Sequence, residues 1–322
     1  MNIVVLDGGT TNPGDLSWGP LEQLGNLTVY DETPAHLVKE RLKGAQAVIL
    51  NRIVLGREEF SSLPELRYVG TLATGYNTID THAAGEFGIT VCNVPHYCEY
   101  SVAQHALSLL LCLCGKVLRS SDLTRSGQWN TAVKKSHRSL LPVELAGKKL
   151  GIFGYGNIGK KMADLGLALG MEILLYSRTQ KDAGEGCRWV DMETLFRESD
   201  VISLHCPLTP QTQGIVGKHL LSLMKPTAFL INTSRGALVD EPALADALNQ
   251  GNLAGAGVDV LSQEPPASDH PLLKAKNCLV TPHVAWATRE ARSRLILTVA
   301  ENLRQYQNGT PQNVVNETPL SK

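Results

Sequence analysis

The chain lacks an excess of either charge. Its 30 Lys and Arg stand against 31 Asp and Glu, a formal net charge of −1, and that balance gives a nucleic acid or other polyanion nothing to bind. It lacks a long apolar run. The longest, Ala106 to Cys114, is interrupted by Ser108 and is too short to span a bilayer, so no membrane partner is expected. It lacks paired cysteine spacing. Seven cysteines, an odd number, read as reduced thiols, and Cys112-x-Cys114 points to opposite sides of a helix, which is poor geometry for a metal; no metal is expected. The start, Met1-Asn-Ile-Val-Val-Leu-Asp7, lacks a signal peptide's charged residues and cleavage site, so a cytoplasmic location is expected. No repeat or low-complexity segment stands out. A hydrophobic content of 43% over 322 residues is enough for the cores of two domains.

Within that composition, strands and helices alternate twice. Asn2–Leu6, Leu27–Tyr30, Ala47–Leu50 and Tyr68–Leu72 read as short buried strands, and Ala35–Leu42 carries helical spacing with Thr33-Pro34 as cap and first-turn proline. Tyr100–Leu118 reads as one long apolar helix, followed by a polar irregular stretch, Ser120–Leu141, anchored by the ring of Trp129. From Lys149 the alternation restarts with six strands: Leu150–Phe153, Ile173–Tyr176, Val201–Cys206, Ala228–Asn232, Ala256–Val260 and Cys278–Thr281. Pro242–Asn249 and Glu290–Gln307 read as helices, the latter ended by Asn308-Gly309. Alternation of this kind predicts an α/β fold of doubly wound parallel sheets covered on both faces.

The most specific motif is Gly154-x-Gly156-x-x-Gly159, placed after an apolar strand and before a helical pattern. Gly154 permits the sharp turn, Gly156 lets a pyrophosphate approach the backbone, and Gly159 lets the helix pack against the strand. The helix start offers free N–H groups and a favourable dipole to a dianion. At the end of the next strand, where an enzyme using NAD places an acidic residue on the ribose, stand Ser177, Arg178 and Thr179. No carboxylate is there to repel a 2′-phosphate. Arg178 is either its partner or a surface arginine on a turn. The first reading is favoured, so the cofactor is NADP or NAD with a lean to NADP.

In such a sheet the ligand lies beyond the carboxyl ends of the strands. An arginine, a glutamate and a histidine follow three successive strands: Arg235 after Asn232, Glu264 after Val258-Asp259-Val260, and His283 after Thr281-Pro282. A 2-oxo acid needs its carboxylate clamped, which Arg235 can do bidentately. Its carbonyl oxygen needs a proton as hydride arrives, and an imidazole titrates near working pH, so His283 is the candidate acid. Glu264 can orient that imidazole. Each residue alone is more often structural; together, after successive strands of a nucleotide-binding sheet, the catalytic reading dominates.

Over nearly its whole length the chain resembles the D-isomer-specific 2-hydroxyacid dehydrogenases, through Gly154–Gly159, Asn232–Asp240 (NTSRGALVD), Gly257–Pro265 (GVDVLSQEP) and Thr281–Thr288 (TPHVAWAT). The resemblance implies a catalytic Arg235, Glu264 and His283. It implies that Ala73, Thr74 and Gly75 bind the substrate carboxylate through their amides. It places Val102, Tyr155, Gly156, Asn157, Ile158, Cys206, Pro207, Thr212, Thr233 and Asp259 on the cofactor. It implies a Rossmann cofactor domain (100–289) inserted into a flavodoxin-like substrate domain (1–99 and 290–322), and a homodimer. Trp286, with Asn51 and Arg52 as substrate-loop residues, favours the branch of glycerate dehydrogenases, also called hydroxypyruvate reductases. The substrate is then a small 2-oxo or 2-hydroxy acid. A reductase of the D-lactate type and a dinucleotide-sensing protein of the corepressor kind stand as alternatives.

Overall fold

The computed structural model describes residues 1–129 and 140–316 and divides into two units, Met1–Cys98 with Ala287–Lys322, and Glu99–Trp286. Part of the stretch 120–141 and the end of the chain from 317 lie outside the described residues.

The first unit holds β1 (Asn2–Val5), β2 (Asn26–Val29), β3 (Ala47–Leu50), β4 (Tyr68–Thr71) and β5 (Thr90–Cys92). They form a parallel sheet in the order β2-β1-β3-β4-β5, the flavodoxin-like winding. β3 and β4 are buried at every residue, as strands covered on both faces must be. The helix Arg289–Gln307 belongs to this unit; Thr288 caps it by accepting the Ala291 N–H, and it buries Leu295, Ile296, Val299 and Leu303. Its Arg292 forks onto Asp15 at 2.7 and 2.8 Å, which holds the Asp15 carboxyl below the usual range.

Two details differ from the sequence reading. β5, three residues at the sheet edge, has no apolar run long enough to announce it. The segment 35–42 is a 3-10 turn, Ala35–Leu37, running into a single helical turn, Val38–Arg41. Pro34 is itself the N-cap, and the Thr33 hydroxyl donates to Leu6 O across the sheet end instead of capping.

The second unit holds β6 (Lys149–Phe153), β7 (Glu172–Tyr176), β8 (Cys187–Trp189), β9 (Val201–Leu204), β10 (Phe229–Asn232), β11 (Gly255–Val258) and β12 (Cys278–Val280). All pair in parallel in the order β12-β11-β10-β9-β6-β7-β8. This is the dinucleotide-binding order with one further strand, and its winding reverses between β6 and β9. Side-chain alternation divides the apolar residues between two clusters. Leu230 of β10 joins Leu174, Phe196 and Leu244 in one, while Phe229 and Ile231 join Leu110, Leu150 and Met162 in the other. The expected α/β class, two wound parallel sheets with flanking helices, is what forms.

Here too some elements depart from expectation. β8 is a short edge strand and makes seven strands of the six read from the sequence. The apolar helix spans Glu99–Cys114 and stops at Gly115-Lys116, where Lys116 takes φ +53°; a second helix, Val117–Arg125, occupies what reads as an irregular stretch. Trp129 is 63% exposed, so among the described residues its ring is not packed as the expected anchor. Among the described residues no single helix is long and apolar enough to cross a membrane.

Candidate active site

The glycine turn closes β6 onto the helix Asn157–Ala168, whose N-cap is Gly156. Gly154 adopts φ +103°, and a Cβ there would lie 2.6 Å from Cys206 N; a Cβ on Gly159 would lie 2.2 Å from Gly154 O. These two positions exclude any larger residue. A Cβ on Gly156 would meet nothing within 4 Å, so open space lies over the helix start. That space, bounded by N–H groups and the positive end of the helix dipole, fits a pyrophosphate. Thr233 adds a hydroxyl that is buried and without a hydrogen-bond partner among the described residues. A dinucleotide therefore fits what the chain provides.

Ser177, Arg178 and Thr179 follow β7 directly. Arg178 is exposed and has no carboxylate or other acceptor bound to it among the described residues. The loop after β9 is folded by its own side chains: the Thr212 hydroxyl donates to Pro207 O and accepts the Thr209 N–H, and the Ser234 hydroxyl donates to Cys206 O. Burial pushes the Cys206 thiol up to about 11, so it stays protonated. Val102 and Tyr155 are buried, Gly156 and Asn157 exposed, and Ile158 half-buried.

After β10, buried Asn232 builds the turn that presents Arg235. Its Nδ2 donates to Arg235 O and its Oδ1 accepts the Ser234 N–H. The Arg235 side chain is exposed, donates to Ser234 O, and has no acidic partner among the described residues. Most of the guanidinium is thus available to an external carboxylate.

After β11 and β12 the structure brings Glu264 and His283 together: His283 Nδ1 lies 2.6 Å from Glu264 Oε2, with both side chains about one-third exposed. His283 sits at φ +54°, in the left-handed region, which costs a non-glycine residue about 1 kcal/mol. Asp259 holds it there. The Asp259 carbonyl accepts the His283 N–H, and its enclosed carboxylate accepts the Val284 and Ala285 N–H groups and the Thr281 hydroxyl. Trp286 Nε1 donates to His283 O at 3.0 Å. With Nδ1 occupied by Glu264, the other nitrogen, Nε2, is the one left for a ligand.

A family model described as the NAD binding domain of D-isomer specific 2-hydroxyacid dehydrogenases matches residues 107–285. The chain belongs to the D-isomer specific 2-hydroxyacid dehydrogenases. It is similar to the hydroxypyruvate reductase of Blautia hydrogenotrophica, 45% identical over 322 residues that cover 98% of this chain and 100% of the relative. It is 40% identical over 285 residues to the glycerate dehydrogenase of Methylorubrum extorquens, covering 88% and 89% of the two chains. Among solved structures, an acyclic imino acid reductase in complex with NADPH and D-Arg superposes with a TM-score of 0.87 at 32% identity, covering 98% and 100%. As a 2-hydroxyacid dehydrogenase the protein is an oxidoreductase that acts on the CH–OH group of a small 2-hydroxy acid, or on the matching 2-oxo acid, with a nicotinamide dinucleotide.

Residues that sequence reasoning passed over brace the loops of the candidate site. Asn232 and His105 are two; His105 Nε2 lies 3.0 Å from the Thr281 hydroxyl and 3.5 Å from Asp259 Oδ1. The His205 ring bonds the Ser203 hydroxyl, and burial pushes it down to about 3, so it stays neutral and is no proton donor. In the first unit, buried Asp7 accepts the N–H groups of Asn51 and Arg52 at 2.8 and 2.6 Å and so shapes the loop that carries both; burial raises its carboxyl. Asn93 Nδ2 donates to Thr74 O and Thr74 Oγ1 donates to Val94 O, while the Thr74 and Gly75 N–H groups have no acceptor among the described residues. The Asp at the end of a strand and the Asn before the NTSRG arginine are the sequence signals that could have flagged such supports.

Proposed function

We propose that the protein reduces hydroxypyruvate and glyoxylate, giving D-glycerate and glycolate, with NADPH preferred over NADH. The observation that carries the reading is the Glu264–His283 pair at the carboxyl edge of a dinucleotide-binding sheet. A nicotinamide dinucleotide held at the Gly154–Gly159 turn would supply the hydride for the carbonyl carbon. His283, held through Nδ1 by Glu264, donates the proton from Nε2 to the carbonyl oxygen and takes it back in the reverse direction. The Arg235 guanidinium clamps the carboxylate and steadies the charge that develops on the oxygen. In the first unit, the free amides of Thr74 and Gly75 suit anion capture, and Asn51 and Arg52 shape substrate choice.

Support for the substrate class comes from the names of the relatives, a hydroxypyruvate reductase and a glycerate dehydrogenase. Support for NADPH comes from Arg178, which lacks a partner among the described residues where the ribose is expected. The Gly154–Gly159 turn, Val102, Cys206–Thr212, Thr233 and Asp259 form the cofactor's remaining surroundings in this reading. Seven free thiols fit a reducing, cytoplasmic setting, and exposed apolar residues on the helices Glu99–Cys114 and Val117–Arg125 favour a homodimer.

The test is a matrix of initial rates: hydroxypyruvate, glyoxylate and pyruvate, each with NADPH and NADH, following loss of reduced cofactor. Hydroxypyruvate with NADPH is expected to be fastest. Pyruvate turning over faster than both other acids would sink the substrate assignment. Equal rates with the two cofactors would return Arg178 to the surface.

A further inference from the structure

Glu241 is 6% exposed and opens the helix Glu241–Gln250, directly after the N-cap Asp240. A buried carboxylate needs donors. This one takes the Ser262 N–H on Oε1 at 2.8 Å, and on Oε2 the Ser262 hydroxyl and His270 Nε2, the latter at 3.1 Å. The His270 tautomer follows from its other nitrogen, which accepts the Leu272 N–H, so the proton is on Nε2.

The dipeptide Leu261-Ser262 is the joint on which the site turns. Leu261 N–H donates to Glu264 Oε1 at 3.0 Å, and the other oxygen of Glu264 meets His283. Against the same dipeptide lies Gly236, the residue after Arg235: a Cβ there would come within 2.0 Å of Leu261 C and 2.2 Å of Ser262 N. The joint therefore touches both the turn of Arg235 and the loop of Glu264. Two of the three hydrogen bonds on Glu241 go to it. Asp259, which accepts the His283 N–H, and His105, which meets Thr281, are not bonded to Glu241 among the described residues.

We propose that Glu241 is a positioning residue. It pins Leu261-Ser262 so that the Glu264 carboxylate meets His283 Nδ1 squarely and the Arg235 turn seats beside it. This rests on the reading of His283 as proton donor. Glu241 touches no reacting group and acts through Glu264.

The experiment compares Glu241→Gln, Ser262→Ala, Glu264→Gln, His283→Ala and the double variant Glu241→Gln/Glu264→Gln in the full chain. Glu241→Gln should lower kcat about tenfold, the scale of one charge-assisted hydrogen bond, while substrate KM stays within about twofold. In the Glu264→Gln background the same change should cost less than about twofold, because the path through Glu264 is already broken. Ser262→Ala keeps the N–H contact, removes the hydroxyl one and should fall between wild type and Glu241→Gln. Without cofactor, the downfield imidazole N–H resonance of His283, a signature of its short bond to Glu264, should shift or broaden in Glu241→Gln. An unmoved resonance, or equal effects of Glu241→Gln in both backgrounds, overturns the proposal, and so does a loss explained by folded fraction alone. Collapse of kcat in His283→Ala alongside either result confines the failure to Glu241. Near-normal turnover in His283→Ala instead removes the proton-donor reading, and this proposal with it.

Discussion

Arg178 follows β7 exposed, without a carboxylate or other acceptor among the described residues, beside the hydroxyls of Ser177 and Thr179. A guanidinium in that state gains most from an anion that brings its own charge. A charge-assisted hydrogen bond contributes roughly 1.5–3 kcal/mol, about a ten- to hundredfold preference for the phosphorylated ribose. Arg178→Ala should therefore lower kcat/KM for NADPH by about that factor and leave NADH nearly unchanged, as measured by steady-state titration of each cofactor. An equal loss with both would place Arg178 in the structure of the turn and not on the 2′-phosphate. At this scale the sequence marks candidates in the loops that follow strands: Arg235, Glu264 and His283 stand out for that reason, and the structure brings Glu264 and His283 together. Glu241 and His270 do not stand out. Glu241 meets Ser262 across 21 residues and His270 across 29, and nothing in a linear pattern distinguishes an acid at a helix start from ordinary dipole pairing. Asp259 was legible only as a candidate cofactor contact. Its use as the clamp on a left-handed histidine was not, since a positive φ at a histidine leaves no mark in the sequence.

The helix Asn157–Ala168 and β6 approach each other because Gly159 has no side chain. An added methyl at 2.2 Å from Gly154 O meets backbone, which cannot rotate away. Gly159→Ala must push the helix off the turn, at a cost of roughly 1–3 kcal/mol for overpacking, and it would move the N–H groups proposed to hold a pyrophosphate. Thermal melting should show the lost stability, and fluorescence titration should show dinucleotide affinity reduced at least about tenfold. Wild-type affinity with a lowered Tm would detach the glycine turn from cofactor binding. The parallel strands were readable for the same reason that this contact is tight: β3, β4, β9, β10 and β11 are buried end to end and read as apolar runs. β5 and β8 escaped because each is three residues long and holds a polar residue, Thr90 or Arg188, whereas the equally short β12 is apolar throughout. The break at Gly115-Lys116 escaped because apolar residues continue on both sides of it, so hydrophobic content gave no warning of the change in direction.

That break shapes the surface of the second unit. Leu111 before it and Val117 and Leu118 after it are 41%, 55% and 52% exposed. They stand near a cavity of about 610 Å³ lined by Cys112, Leu113, Leu118, Leu123 and Leu279, with Lys116 and Arg119 among its polar residues. Burial, with the nearby Arg119 charge, lowers the Lys116 ammonium below its ordinary value. Large aliphatic residues side by side on two helices are what an association surface requires and what a solvated face avoids. Fully burying a Leu or Val contributes about 1.5–3 kcal/mol, so a few such residues on each side of a two-fold contact supply much of a micromolar affinity, about 8 kcal/mol. A two-fold contact presents the same patch from each copy, so one substitution acts twice. Sedimentation of the wild-type protein at micromolar concentration should return twice the chain mass, and Leu118→Glu, which sets a charge on both sides of the contact, should return one chain mass with the fold intact by circular dichroism. A single-chain mass for the wild type, or a dimer that survives Leu118→Glu, would assign these leucines to something other than pairing of two copies.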